Sequence, residues 1–426
     1  MVSDGIEKRF PSNLWQAGRT KSRIMSAITT IFEPGVQSQP RPKFAYCRPI
    51  SPITLKSGRD GAVDVIKGFA CLLMVAAHSP FARFPWLYEV TMGAVLFFAS
   101  TGMNLAGIVE GRRGQERRLA LNALFLIFAG FADNYVQGTM GESDVFQVAG
   151  LAILTMLLLR AFLPRYWTLL FPAPFLIHLA NQHWHWKTSA GGLASFFLAP
   201  GLFSLLPWLS FFLLGAHLKL HDKRQAWLLG AAALAGVGAL LLAEPFRFNK
   251  WWMSPDYFLL GCAMASWWFA GLRHWLTKSR ELKLVEIRRW GANSLVFYIM
   301  SNFVIRVLEM FGIKGLPLFL LGAALTAALL RPALIVQAWT AAAKRPLAIL
   351  GGGIAISACV LAANVWLWPG SFYLRTLTSF GLTFAFVACY PAWKNLSKAI
   401  TAGGSLASAA LPARAASKVR RPFAME

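Results

Sequence analysis

The chain has 426 residues, 56% of them apolar and 14% charged, with a mean hydropathy of +0.51, which excludes a water-soluble globular domain and a disordered chain alike. Its net charge of +24 would point to nucleic acid in a soluble protein, but most of the 42 Lys and Arg fall in alternate loops between long apolar runs. That is the positive-inside pattern of a multi-pass membrane protein, with lipids as its partners and no nucleic acid.

Residues 1–60 are rich in Pro, Ser, Lys and Arg and lack periodicity, which predicts a disordered basic arm against an anionic cytoplasmic leaflet. No cleavable signal peptide is expected, because the first apolar run starts near residue 62 and must itself direct insertion. A helix needs roughly 20 apolar residues to cross a hydrocarbon core about 30 Å thick. Apolar segments run near 62–82, 90–109, 119–137, 145–163, 166–182, 202–218, 226–243, 257–276, 291–308, 316–330, 347–368 and 371–393. Segments 166–182 and 316–330 are short enough to be re-entrant or merged. The expected fold is an all-α polytopic transmembrane helix bundle of about ten to twelve spans with both termini cytoplasmic. Its parts are the arm 1–60, a transmembrane core 61–310, additional transmembrane helices 311–393 and a basic tail 394–426.

In the first span, Lys67, Cys71, Met74 and His78 form one stripe, because the eleven steps from Lys67 to His78 close almost three turns and rise roughly 16 Å. Titratable groups inside a membrane normally face a bundle interior or a water-filled cavity. His78 is therefore either a reactive group or a polar cap at headgroup level. The second span carries Gly93, Ser100, Gly102, Ala106 and Gly107, small residues that predict close packing against the first.

Arg112, Arg113, Arg117 and Arg118 follow in a short cytoplasmic loop. Their guanidinium groups suit the phosphates of a cytosolic nucleotide carrier, or they simply set the topology. Asp133, near the outer end of the third span, is placed either to orient the His78 imidazole or as an ordinary interfacial acid. Gln147 opens the fourth span and can hydrogen-bond a substrate or a neighbouring helix. His183 and His185 alternate with Trp184 and Trp186, a pattern of the interfacial aromatic belt or of a sugar-stacking or metal site. His217 and His221 share a helix face, but no third metal ligand is evident, and the helix dipole favours them there.

The ninth span has an unusually polar face, with Asn293, Ser294, Tyr298 and Asn302 followed by Arg306 and Glu309. It lines a cavity or packs through hydrogen bonds and an ion pair. From Gly315 onward the spans are bland, apart from Gly351, Gly352 and Gly353. Cys47, Cys71, Cys262, Cys359 and Cys389 are scattered without a CxxC pair, so neither a disulfide framework nor a metal site is expected.

The Asp64, Lys67 and His78 pattern resembles the first helix of the integral-membrane acyltransferase superfamily, where an Arg or Lys is followed, after ten residues, by His. VLFFASTG, DVFQVAGLAIL, LFSLLPWLSFFLLG, SPDYFLLGCAM and GANSLVFYIMSN are similar to blocks of the heparan-α-glucosaminide N-acetyltransferase branch and its bacterial relatives, over about residues 59–310. The resemblance implies transfer of an acyl group, usually acetyl, from cytosolic acyl-CoA to a hydroxyl or amine of a glycan or lipid-linked acceptor at the outer face. A bacterial inner membrane fits that chemistry. On this view Lys67 and the loop arginines meet the CoA phosphates, His78 with Asp133 supplies the general base or acyl relay, and Gln147, Tyr298 and Asn302 meet the acceptor. The chain has Asn302 where relatives often have His, and lacks a second His in the first outer loop, which leaves open a different acceptor or an inactive chain. The residues also leave open a transporter, and a non-catalytic subunit in a homo-oligomer or larger membrane assembly.

Overall fold

The computed structural model describes residues 60–79, 92–111, 115–137, 143–183, 196–198, 203–243, 248–250, 252–276, 283–343, 345–367 and 372–401. The basic arm up to residue 59 and the tail beyond residue 401 lie outside the described residues. The helices are α1 Gly61–Ala77, α2 Gly93–Gly111, α3 Glu116–Gln137, α4 Val145–Phe162, α5 Ala173–His183, α6 Leu205–Leu220, α7 Lys223–Ala243, α8 Pro255–Trp275, α9 Val285–Ala292, α10 Ser294–Met310, α11 Gly315–Ala342, α12 Pro346–Leu367 and α13 Phe372–Thr401. Among the described residues all these regular elements are α-helical. The helices α2, α4, α7, α11 and α12 are long and apolar enough to cross a membrane, and α9 with α10 adds a sixth if the bent pair is one span. The protein is a multi-pass, all-α membrane bundle.

Local chemistry explains several boundaries. Asp60 caps α1 by accepting a hydrogen bond from the Ala62 amide at 3.0 Å, and the helix ends at His78, two residues before Pro80. Ser254 and Pro255 start α8 in the usual order, with the ring at a position that has no intrahelical N–H bond to lose. Segment 166–182 becomes turns followed by α5, whose 11 residues rise only about 16 Å, too little to cross a bilayer. Segment 316–330 instead continues through Pro332 into a helix of 28 residues. Segment 291–308 is broken: α9 and α10 meet at 90°. At the break the Asn293 side-chain amide donates to the Arg289 carbonyl at 2.9 Å, a local bond that competes with helix continuation.

Glycines bring backbones together at two helix pairs. A Cβ on Gly102 would overlap the Phe212 carbonyl, and one on Gly215 the Ala99 carbonyl, so α2 and α6 touch reciprocally. The pair α1 and α9 does the same, with Gly68 against the Ile287 carbonyl and Gly291 against the Asp64 carbonyl. In lipid, where burial against a helix gains little over burial against acyl chains, such close approach supplies the packing energy. Around the α2–α6 contact, Phe98 stacks on Phe212 at 4.8 Å and meets Trp208 edge-on at 5.2 Å. The far side of the bundle is looser: only 6% of the apolar stretch Pro346–Ala363 of α12 is buried.

Candidate functional site

At the start of α1, Lys67 lies buried with Nζ 5.0 Å from the centre of the Phe97 ring. Asp64 is fully buried and faces Arg288 at 3.9 Å. Asp60 pairs with Lys219 at 2.5 Å and with Arg273 at 3.7 Å. Burial pushes the Asp60 carboxyl up, but the hydrogen bond and charge of Lys219, together with Arg273, outweigh it and hold the group below its ordinary 3.8. Other cations at this end also meet acids: Arg160 lies 3.1 Å from Glu110 and 3.2 Å from Glu116, and Arg289 lies 2.6 Å from Glu286. Of the four loop arginines, Arg112 and Arg113 lie outside the described residues, Arg117 is exposed, and Arg118 donates to Gln115 at 2.5 Å. His217 and His221 sit ring to ring at 4.1 Å, and no group of three or more His, Cys, Asp or Glu able to hold a metal occurs among the described residues.

His78 is the C-cap of α1 and is exposed. The charges that act on its imidazole are those of Lys250 and Arg306. Between Lys67 and His78 the stripe is packed: Cys71 is 1% and Met74 6% exposed, both in the main core.

The remaining sequence candidates converge elsewhere. Asp133 lies next to Asp144, and the Tyr298 hydroxyl donates to Asp144 Oδ1 at 3.3 Å. Asn302 lies beside Tyr298, and its Oδ1 is buried without a partner. Gln147 braces this cluster from behind. Its Oε1 accepts from Asn134 Nδ2 at 3.0 Å and from the Asp144 amide at 2.6 Å, which caps α4.

Asp133 and Asn302 open onto a cavity of about 350 Å³ between α3, α10, α12 and α13. Its wall is largely apolar and also carries the hydroxyls of Ser357, Ser379 and Thr383. Neither Lys67 nor His78 lines it. Sequence reasoning missed these hydroxyl residues, because only the pairing of α12 with α13 brings them together. It also passed over His178, which is fully buried with Nε2 2.8 Å from the Trp252 carbonyl and Nδ1 without a partner. Its signal was a lone imidazole inside an apolar run. His183 is exposed, and His185 lies outside the described residues.

No family model, curated protein or solved structure matches the chain.

Proposed function

We propose that the chain is a membrane acyltransferase that moves an acyl group, acetyl in the simplest form, from cytosolic acyl-CoA to a hydroxyl or amine of a glycan or lipid-linked acceptor at the outer face of a bacterial inner membrane. The observation that carries this reading is the cluster of Asn302, Tyr298, Asp144 and Asp133, in which Tyr298 donates to Asp144 and Asp133 and Asn302 reach the wall of a cavity with an apolar body. A ligand site of this kind combines an apolar pocket with a few convergent polar groups. In the reaction the acceptor O–H or N–H attacks the thioester carbonyl, a new acyl–O or acyl–N bond forms, and the C–S bond breaks. The acceptor proton passes to a base and the CoA sulfur leaves as thiolate, to be protonated in turn. Asp133 is the base on the cavity wall. His78 does not line the cavity; its link to it is α10, where Arg306, whose charge acts on His78, follows Asn302 by one turn. Lys67 and the basic loops face the acyl donor.

The test is transfer of labelled acetyl from acetyl-CoA by the purified chain in proteoliposomes supplied with cell-envelope extract. Asp133→Asn and His78→Ala are each expected to lower transfer about 100-fold or more, the usual size of a lost acid–base group. Unchanged transfer by His78→Ala removes His78 from the mechanism, and no transfer by the native chain overturns the reading. The close packing of Cys71 and Met74, which fills that stripe where a pantetheine arm would run, favours a second reading, a non-catalytic membrane subunit. Co-purification of a partner complex from an inactive native chain would support it.

A further inference from the structure

Helices α3 and α12 both pack against α13 and leave a gap between themselves, which the cavity occupies. Contacts along α13 fix the level of each wall. At one level a Cβ on Gly353 would overlap Cys389, and Phe125 lies 5.8 Å from Phe386. At the other, Gly381 faces Val360 and Phe303 lies 5.1 Å from Phe380. The two ends of this slot therefore differ in chemistry. Asp133, Asn302 and Ser379 line the end where α3 finishes, whereas Phe125, Phe386 and Cys389 line the opposite one. Below the apolar end the floor is closed: Phe125 stacks on Trp393 at 5.5 Å and Phe386 on Tyr390 at 5.3 Å, beside the packed cluster of Leu350, Cys389, Ala392 and Leu396. The side is open, since Phe128 and Ile354 line the slot and are nevertheless 71% and 69% exposed to the surroundings of the bundle, which are lipid. From Phe125 to Asp133 the slot runs about 12 Å along α3, and from Cys389 to Ser379 about 15 Å along α13. Half of a hydrocarbon core about 30 Å thick is about 15 Å, the depth of one leaflet's chains.

We propose that the slot holds a single acyl chain of a phospholipid from the leaflet at the Asp133 end, with the headgroup at that end and the chain terminus against Phe125 and Phe386. Depth, polarity, closed floor and lateral mouth each match a chain that slides in from that leaflet. A lipid of the opposite leaflet would have to put its headgroup on the aromatic floor. In lipid a chain gains little from burial as such, so contact with the slot's walls holds it, and filling the slot must displace it. On the sidedness used above this is the outer leaflet, and the acceptor of the acyl transfer is then an amphiphile held by its chain rather than a free glycan. The lipid's role rests on the proposed transfer; its binding does not.

The full chain in proteoliposomes, with no acyl-CoA present, is given phosphatidylglycerol carrying a diazirine either at the end of one acyl chain or beside its ester, photolysed, and its adducts mapped by peptide mass spectrometry. The terminal diazirine is expected to label α3 around Phe125 and α13 over residues 386–389, and the ester-side diazirine the levels of Asp133 and Ser379. Ala129→Trp and Ala358→Trp fill the slot from α3 and from α12. Each should cut slot labelling about 10-fold, a loss of about 1.4 kcal/mol, with a melting temperature close to native and unchanged adducts at Leu320 and Leu325, exposed on α11 and outside the slot. Slot labelling undiminished in both filled variants overturns the inference, and so does labelling of the Asp133 level by the terminal diazirine. A second copy of the chain seated in the gap would leave the slot without adducts, which overturns it equally. Because no transfer is measured, a slot that takes lipid in a chain that acetylates nothing sinks only the enzyme reading, and acetyl transfer by a chain whose slot takes none sinks only this one.

Discussion

The two glycine contacts on α2–α6 and α1–α9 and the cavity between α3, α10, α12 and α13 solve the problem of packing in lipid in opposite ways. At Gly102 and Gly215 backbone lies on backbone, leaving no room for a methyl group, whereas Gly351 and Gly352 in α12 meet nothing within 4 Å. The first region spends its small residues on rigidity. The second leaves space, and it is there that Asp133, Asn302 and the hydroxyls of Ser357, Ser379 and Thr383 line a cavity. A glycine in a membrane helix is thus not evidence of close packing until its neighbour is known.

The sharpest way to break this contrast is Gly215→Val. Its side chain must displace the Ala99 carbonyl, and a loss of about 3 kcal/mol or more is expected, read as collapse of the monodisperse folded species or by denaturant unfolding in micelles. Tyr298→Phe should cost about 1–2 kcal/mol in the same measurement, since it removes the donor to Asp144 from a site that water does not reach.

A smaller effect comes from Asp60. Its carboxyl is held below 3.8, so the stability it contributes is fully present above that value and is lost as pH falls through the lower folded value. A pH series of melting temperatures should therefore decline at the acid end, and Asp60→Asn, which keeps a capping oxygen but no charge, should flatten that decline at a neutral-pH cost of about 1 kcal/mol or less. Smallest of all, Gly351→Ala should gain about 0.5–1 kcal/mol from helix propensity alone, as there is no neighbour to clash with. A loss there would mean that α12 is covered in the working assembly.

The all-α, multi-pass architecture was legible in the sequence, because apolar runs near 20 residues long are a strong local signal. The break at Asn293 was not, since GANSLVF reads as continuous apolar helix and the interruption is a side-chain bond to Arg289. The polar face of α10 was recognisable from the spacing of Tyr298 and Asn302, but its partners were not. For Asp133 the sequence left open a partner of His78 or an interfacial acid, and the structure sets it next to Asp144, a long-range pairing that spacing along one chain does not encode. The helices after Gly315 read as bland because Ser357, Ser379 and Thr383 are individually ordinary. Only the meeting of α12 and α13 makes them a wall.

The right angle between α9 and α10 couples surface to interior. Since Gly291 rests on the Asp64 carbonyl and Gly68 on that of Ile287, α9 and α1 cannot slide along each other without first lifting apart. The eight residues of α9 therefore form a fixed corner, held to α1 by these two glycines and turning at a right angle into α10. Tyr298, Asn302 and Arg306 all lie on α10, so this one corner sets where the cavity wall and the charge acting on His78 stand relative to α1.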